Sequence, residues 1–98
     1  MPAYLIARVS VTDGDRFREY SKRTPGLIAK FGGKYLARGG EVVTLEGPEE
    51  AARVVLVEFP SLERIKAFYN SEDYQEARKL RVGAATGSLL AIEGLPPA

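Results

Sequence analysis

The chain of 98 residues contains no cysteine and no histidine. Those two absences together exclude disulfides, thiolate nucleophiles, cysteine/histidine zinc clusters, histidine-ligated haem and every histidine-based catalytic triad. Most familiar enzyme chemistry goes with them. Neither charge sign dominates, since fourteen basic and thirteen acidic residues leave a net charge of +1, so bulk electrostatics recommends no polyanionic partner. No apolar run approaches the length of a membrane span. The N-terminus has no basic segment followed by an apolar stretch and a cleavage site, so a cytoplasmic protein that neither enters a membrane nor binds nucleic acid is expected. No repeat or low-complexity tract breaks the chain. With 45% hydrophobic and 28% charged residues, it reads as one domain over 1–98, with residues 94–98 as a tail.

The organising stretch is RVVLVEFPSLERIKAFYN, residues 53–70. Val54 to Val57 form a β-branched run suited to an interior strand, in which Val55, Val57 and Phe59 share one side and Val54, Leu56 and Glu58 the other. Pro60 ends the ladder because it has no N–H to give. Ser61 caps a helix whose Leu62, Ile65, Phe68 and Tyr69 recur at helical spacing, and that stripe belongs against Val55, Val57 and Phe59.

Residues 3–11 alternate, with Tyr4, Ile6, Arg8 and Ser10 on one face and Leu5, Ala7, Val9 and Val11 on the other, which predicts a strand. Thr12 and Asp13 can cap a helix whose buried face carries Phe17, Tyr20, Thr24, Leu27, Ile28 and Phe31. Pro25 would clash with the carbonyl of Ser21 at a cost of about 3 kcal/mol, so a kink or fresh start is expected there. Gly32 and Gly33 end the helix. Residues 34–38 and 42–46 read as one long strand bulged at Gly39-Gly40, with its second half returned against residues 53–59 by the turn at 47–50 and its first half projecting free. Asn70 ends the central helix, Ser71 starts another, and residues 86–93 alternate into a last strand.

The order strand, helix, strand, strand, helix, strand is that of a ferredoxin-like α+β fold, a four-stranded antiparallel sheet with helices on one face. Its other face would leave Tyr4, Ile6, Val54, Leu56 and one of Leu89 or Leu90 in water. A second copy packed sheet to sheet would cover them and form a dimeric α/β barrel.

Three segments carry a family resemblance: AYLIARVSV at the start, GGKYLARGGEV over residues 32–42, and EFPS at 58–61 followed by AFYNSEDYQEAR at 67–78. They resemble the DUF1330 family of small bacterial proteins over nearly the whole chain. The resemblance implies the dimeric α/β barrel superfamily, which spans cofactor-free monooxygenases, isomerases, stress-response proteins and effector-binding domains, and it assigns no function by itself.

Arg8 and Glu58 fall on the face expected to be enclosed, and as neighbours on antiparallel strands they read either as an ion pair lining the barrel or as a site. In the second reading Arg8 holds an anion while Glu58 orients it or serves as a base with a raised pKa. Arg38, Gly39 and Gly40 let a ligand approach the backbone or simply form the bulge. Tyr4, Tyr35, Tyr69 and Tyr74 line a cavity or serve as core residues with a wet tip. Arg78, Lys79 and Arg81 read as a solvated helix end.

Three functions compete on these residues. The leading one is a homodimer that binds a small, acidic organic molecule without a cofactor. Next is a cofactor-free oxygenase or isomerase in which Glu58 or a tyrosine moves a proton. An RNA-recognition domain shares the strand order, but it needs a glycine-aromatic signature on the third strand that VVLVEFP lacks.

Overall fold

Alternation along the first strand and the β-branched run of the third make the two central strands of a sheet whose order is β2-β3-β1-β4, all antiparallel. The computed structural model describes residues 1–96, in which β1 (Ala3–Val11), α1 (Gly14–Lys30), β2 (Lys34–Arg38), β3 (Arg53–Phe59), α2 (Leu62–Asn70), α3 (Glu72–Arg81) and β4 (Ala85–Glu93) follow in order. The end of the expected tail, residues 97 and 98, lies outside them.

The core forms where the sheet meets the helices. Ala3 and Leu5 of β1 and Val57 and Phe59 of β3 pack against Ile28 of α1, Ile65 and Phe68 of α2 and Tyr74 of α3, all buried. Each helix starts where a short polar side chain accepts from its first free amides. Asp13 accepts from Arg16 N, Ser61 from Arg64 N and Ser71 from Tyr74 N. Ser71 also donates from its hydroxyl to Phe68 O at 2.7 Å, so it closes α2 and opens α3.

Two expectations are corrected. Helix α1 runs without interruption through Pro25. The carbonyl of Ser21, which loses its helical donor to the proline, is instead taken by the Arg38 guanidinium at 3.0 Å and approached by the Thr24 hydroxyl at 3.4 Å. A supplied donor removes part of the penalty that would otherwise break the helix.

The long bulged strand is the second correction. It is the first half, β2, that pairs with β3, the register shift falls between Tyr35 and Ala37, and residues 42–46 join no strand. Packing selects this register: Tyr35 lies opposite Val57 on the helix side, and Gly33 leaves room for Phe59, whose ring would lie 2.9 Å from an added Cβ. Gly39, at φ +70°, then turns the chain off the sheet, with only Arg53 and Val54 of β3 left beyond the Arg38–Val55 pair. Arg8 tethers the resulting arm to β1 by an ion pair to Glu50, and within the arm Thr44 accepts from Glu50 N at 2.9 Å.

Opposite the helices, Tyr4, Ile6, Val54 and Leu56 are only half-buried and Leu90 and Ile92 are half-exposed. Of the two leucines weighed for this face it is Leu90 that lies here, since it stands opposite Ile6 while Leu89 pairs with Ala7 on the helix side.

Candidate functional site

Ala7 is the small residue in the middle of the sheet. Its neighbours across the strands are Val55 and Leu89, and because it has only a methyl group the space above it is left for α1 to roof with Phe17, Tyr20 and Thr24. A cavity of about 60 Å³ results, with Leu5, Val9, Val57, Ile28 and Phe68 completing its apolar wall. Such a space holds a few waters or a molecule of few heavy atoms, since ligands of drug size need on the order of 300–1,000 Å³.

Five hydroxyl-bearing residues line this space, and four of them are already paired with one another. Tyr20 and Tyr74 meet hydroxyl to hydroxyl at 2.9 Å, and Thr24 and Tyr35 at 3.2 Å. The two pairs differ chemically. In the second, Thr24 donates to Ser21 O and can accept from Tyr35, which leaves lone pairs but no proton to offer. In the first, one O–H satisfies the other and a single donor remains free. Burial, followed by the neighbouring Tyr74, pushes the Tyr20 hydroxyl far above its ordinary pKa, against a smaller opposing effect of Arg81. Tyr20 therefore stays protonated, and either tyrosine of the pair can be the one whose O–H remains free.

The rim is cationic. Arg38 stacks on the Tyr35 ring at 4.6 Å while holding Ser21 O, and Arg53 packs its guanidinium against Gly39. Among the described residues no carboxylate lines the cavity.

Of the residues singled out in the sequence, Tyr35 and Arg38 come together here, joined by Tyr74. Gly39 and Gly40 line a separate shallow depression with Glu50 and Ala52. Tyr69 touches Tyr74, ring centroid to centroid at 5.4 Å, but faces a groove beside β4. Tyr4, Arg8 and Glu58 lie on the far side of the sheet. The expected Arg8–Glu58 neighbourhood is overturned by the register: Arg8 stands opposite Val54 and Glu58 opposite Tyr4. Four strand positions put the two about 13 Å apart, and each has another partner, Glu50 for Arg8 and Lys34, at 3.3 Å, for Glu58. Sequence reasoning assigned Tyr20 and Thr24 to the core face of α1 and passed over Ala7 and Arg53. The available signal was two hydroxyls on an otherwise apolar helical stripe.

Among the described residues no three metal-ligating side chains converge, and no helix is long and apolar enough to cross a membrane. The sheet order and the helices packed on one of its faces define a ferredoxin-like α+β protein, here with a hydroxyl-lined cavity between the two layers. The chain belongs to the DUF1330 family, described as a domain of unknown function, whose sequence model matches residues 2–95. No curated protein matches it. Among solved structures it is similar to a protein of unknown function from Rhodopseudomonas palustris, at a TM-score of 0.77 and 24% identity over 98% of this chain and 84% of that one. SnoaB, a cofactor-independent oxygenase from Streptomyces nogalater, is similar at a TM-score of 0.68 and 10% identity, over 98% and 95% of the two chains. A dimeric protein of unknown function with a ferredoxin-like fold from Bacteroides fragilis gives 0.63 and 17%, over 95% and 96%. At these identities the likeness is one of fold.

Proposed function

We propose that the protein is a homodimer closed through the outer faces of two sheets, and that the cavity under α1 in each subunit binds a small oxygen-bearing organic molecule, acidic or strongly polar, without a cofactor. The observation that carries this reading is the cavity itself: an apolar pocket with one free hydroxyl donor at the Tyr20–Tyr74 pair, acceptors at Thr24 and Tyr35, and Arg38 and Arg53 at its rim. An anionic group would rest at the arginines while an apolar body occupies the space over Ala7. Dimer formation is supported by the half-exposed apolar outer face, where Leu90 is 51% and Ile92 56% accessible, and by the dimeric Bacteroides fragilis protein of the same fold. In that dimer Arg8 and Glu58 lie between the sheets, away from the cavity.

A second reading, a cofactor-free oxygenase or isomerase, draws on the same hydroxyl pair. A protonated Tyr20 backed by Tyr74 can stabilise negative charge developing on a substrate oxygen, and SnoaB carries out cofactor-independent oxygenation on this fold. Glu58 has no part in it, because the sheet separates it from the cavity.

Native mass spectrometry of the freshly purified protein tests both claims at once. A dimer with added mass that the variant Ala7→Leu no longer carries supports the reading. A monomer overturns the dimer, and added mass that survives in Ala7→Leu overturns the cavity.

A further inference from the structure

The geometry points to a second anion-binding site, separate from the cavity, in the groove between the α2–α3 hairpin and β4, with Arg78 and Arg81 as its recognition groups and a carboxylate bearing an apolar body as its ligand. The inner face of α3 reads Tyr74, Ala77, Arg78, Arg81, so a face that begins with two buried residues ends with two half-buried arginines. Long basic side chains normally lay their stems on apolar surface and keep the head in water. Here the Nε atoms of both arginines are buried and have no hydrogen-bond partner among the described residues. A guanidinium nitrogen taken out of water and left without an acceptor is costly, and a carboxylate in the groove that both side chains line can pair with the rest of each guanidinium and offset that cost.

The ordinary reason for a basic helix end does not account for the pair. It is Arg16, reaching across from α1, that donates to the carbonyls of Lys79 and Val82 at 3.0 Å each, and Lys79 is bound to Glu76 at 2.9 Å. Neither Arg78 nor Arg81 forms an ion pair among the described residues, although Arg81 stands over the Tyr20 ring at 5.6 Å and beside the Tyr20 and Tyr74 hydroxyls.

The groove itself measures about 390 Å³, and among the described residues no carboxylate lines it. Ile65, Tyr69 and Leu89 give it an apolar floor, and Lys66 at the rim is paired with Glu63 at 3.6 Å. That volume falls within the range of small-molecule sites, and a fork of guanidinium donors fits a carboxylate in two-point contact.

Benzoate is the probe, with benzamide as its neutral isostere, followed by NMR of the whole chain. Saturable shifts at the amides of Tyr69, Leu89 and Ala91 with benzoate, at least tenfold weaker with benzamide, are expected. The double variant Arg78→Gln/Arg81→Gln should lose at least tenfold in benzoate affinity while its spectrum elsewhere stays folded, and Arg78→Lys/Arg81→Lys should keep part of it. If the first variant does not fold, the lysine variant and the benzamide comparison decide. Equal affinity for benzoate and benzamide, or unchanged benzoate binding in the variants, overturns the site. So does a variant that shifts the monomer–dimer balance without touching benzoate binding, because the arginines would then serve a carboxylate of a second copy.

Discussion

Tyr20 and Tyr74 stand 54 residues apart in the chain, yet their hydroxyls share a hydrogen bond of 2.9 Å in the space between α1 and α3. Tyr74 is fully buried, so its hydroxyl has little recourse to water if the pair is broken. Tyr74→Phe is expected to destabilise the fold by about 1–3 kcal/mol, the usual cost of orphaning a buried polar partner. The double change Tyr20→Phe/Tyr74→Phe should cost less than the sum of the single ones. Urea unfolding of the four proteins closes the cycle, and strict additivity would refute the coupling.

Pro25 and Arg38 make a second coupled pair. The proline frees Ser21 O and the arginine occupies it. Arg38→Ala should therefore lose about 1–2 kcal/mol in the native background, and distinctly less in Pro25→Ala, where the alanine N–H returns as the helical donor. Equal losses in both backgrounds would show that Arg38 contributes only through its stacking on Tyr35.

Two glycines predict opposite outcomes. At Gly87, φ +151°, an added Cβ would lie only 1.8 Å from the carbonyl oxygen of Arg8, a backbone atom of the neighbouring strand. Gly87→Ala should prevent stable folding or cost more than about 3 kcal/mol. Gly26 lies within α1, its φ is ordinary and nothing comes within 4 Å of an added Cβ, so Gly26→Ala should stabilise by about 0.5–1 kcal/mol. Thermal melts of the two variants separate these directions.

Glu50 gives the arm at residues 39–52 a dependence on pH. The N–H of Ala52 and, after it, the Arg8 guanidinium hold its carboxyl below the usual glutamate value. A depressed folded value means that the tether is fully present above the ordinary carboxylate value of about 4.3 and is lost as pH falls through the lower folded one. Protection from hydrogen exchange at residues 44–52, measured against the intrinsic rate at each pH, should therefore fall on acidification, and Glu50→Gln should abolish that fall. Unchanged acid sensitivity in that variant would transfer it to another carboxylate.

Much of the fold was legible in the sequence because it rests on local chemistry. The two-residue alternation of β1, the β-branched run of β3, the caps at Asp13, Ser61 and Ser71 and the stop at Gly32-Gly33 each act over a few residues, and together they specify a ferredoxin-like order. The site was legible only in part. Tyr35, Arg38 and Tyr74 were visible as hydroxyls and a cation on apolar elements, whereas Arg8 and Glu58 shared a face without sharing a place on it. Tertiary structure decided what depended on register and on distant partners. The pairing of β1 with β3 separated Arg8 from Glu58, a guanidinium 17 residues along the chain kept α1 whole at Pro25, and one methyl group at Ala7 opened the cavity. Strand pairing slides in steps of one residue that local propensity hardly distinguishes, and only the simultaneous packing of Tyr35, Phe59 and the helices selects one of them.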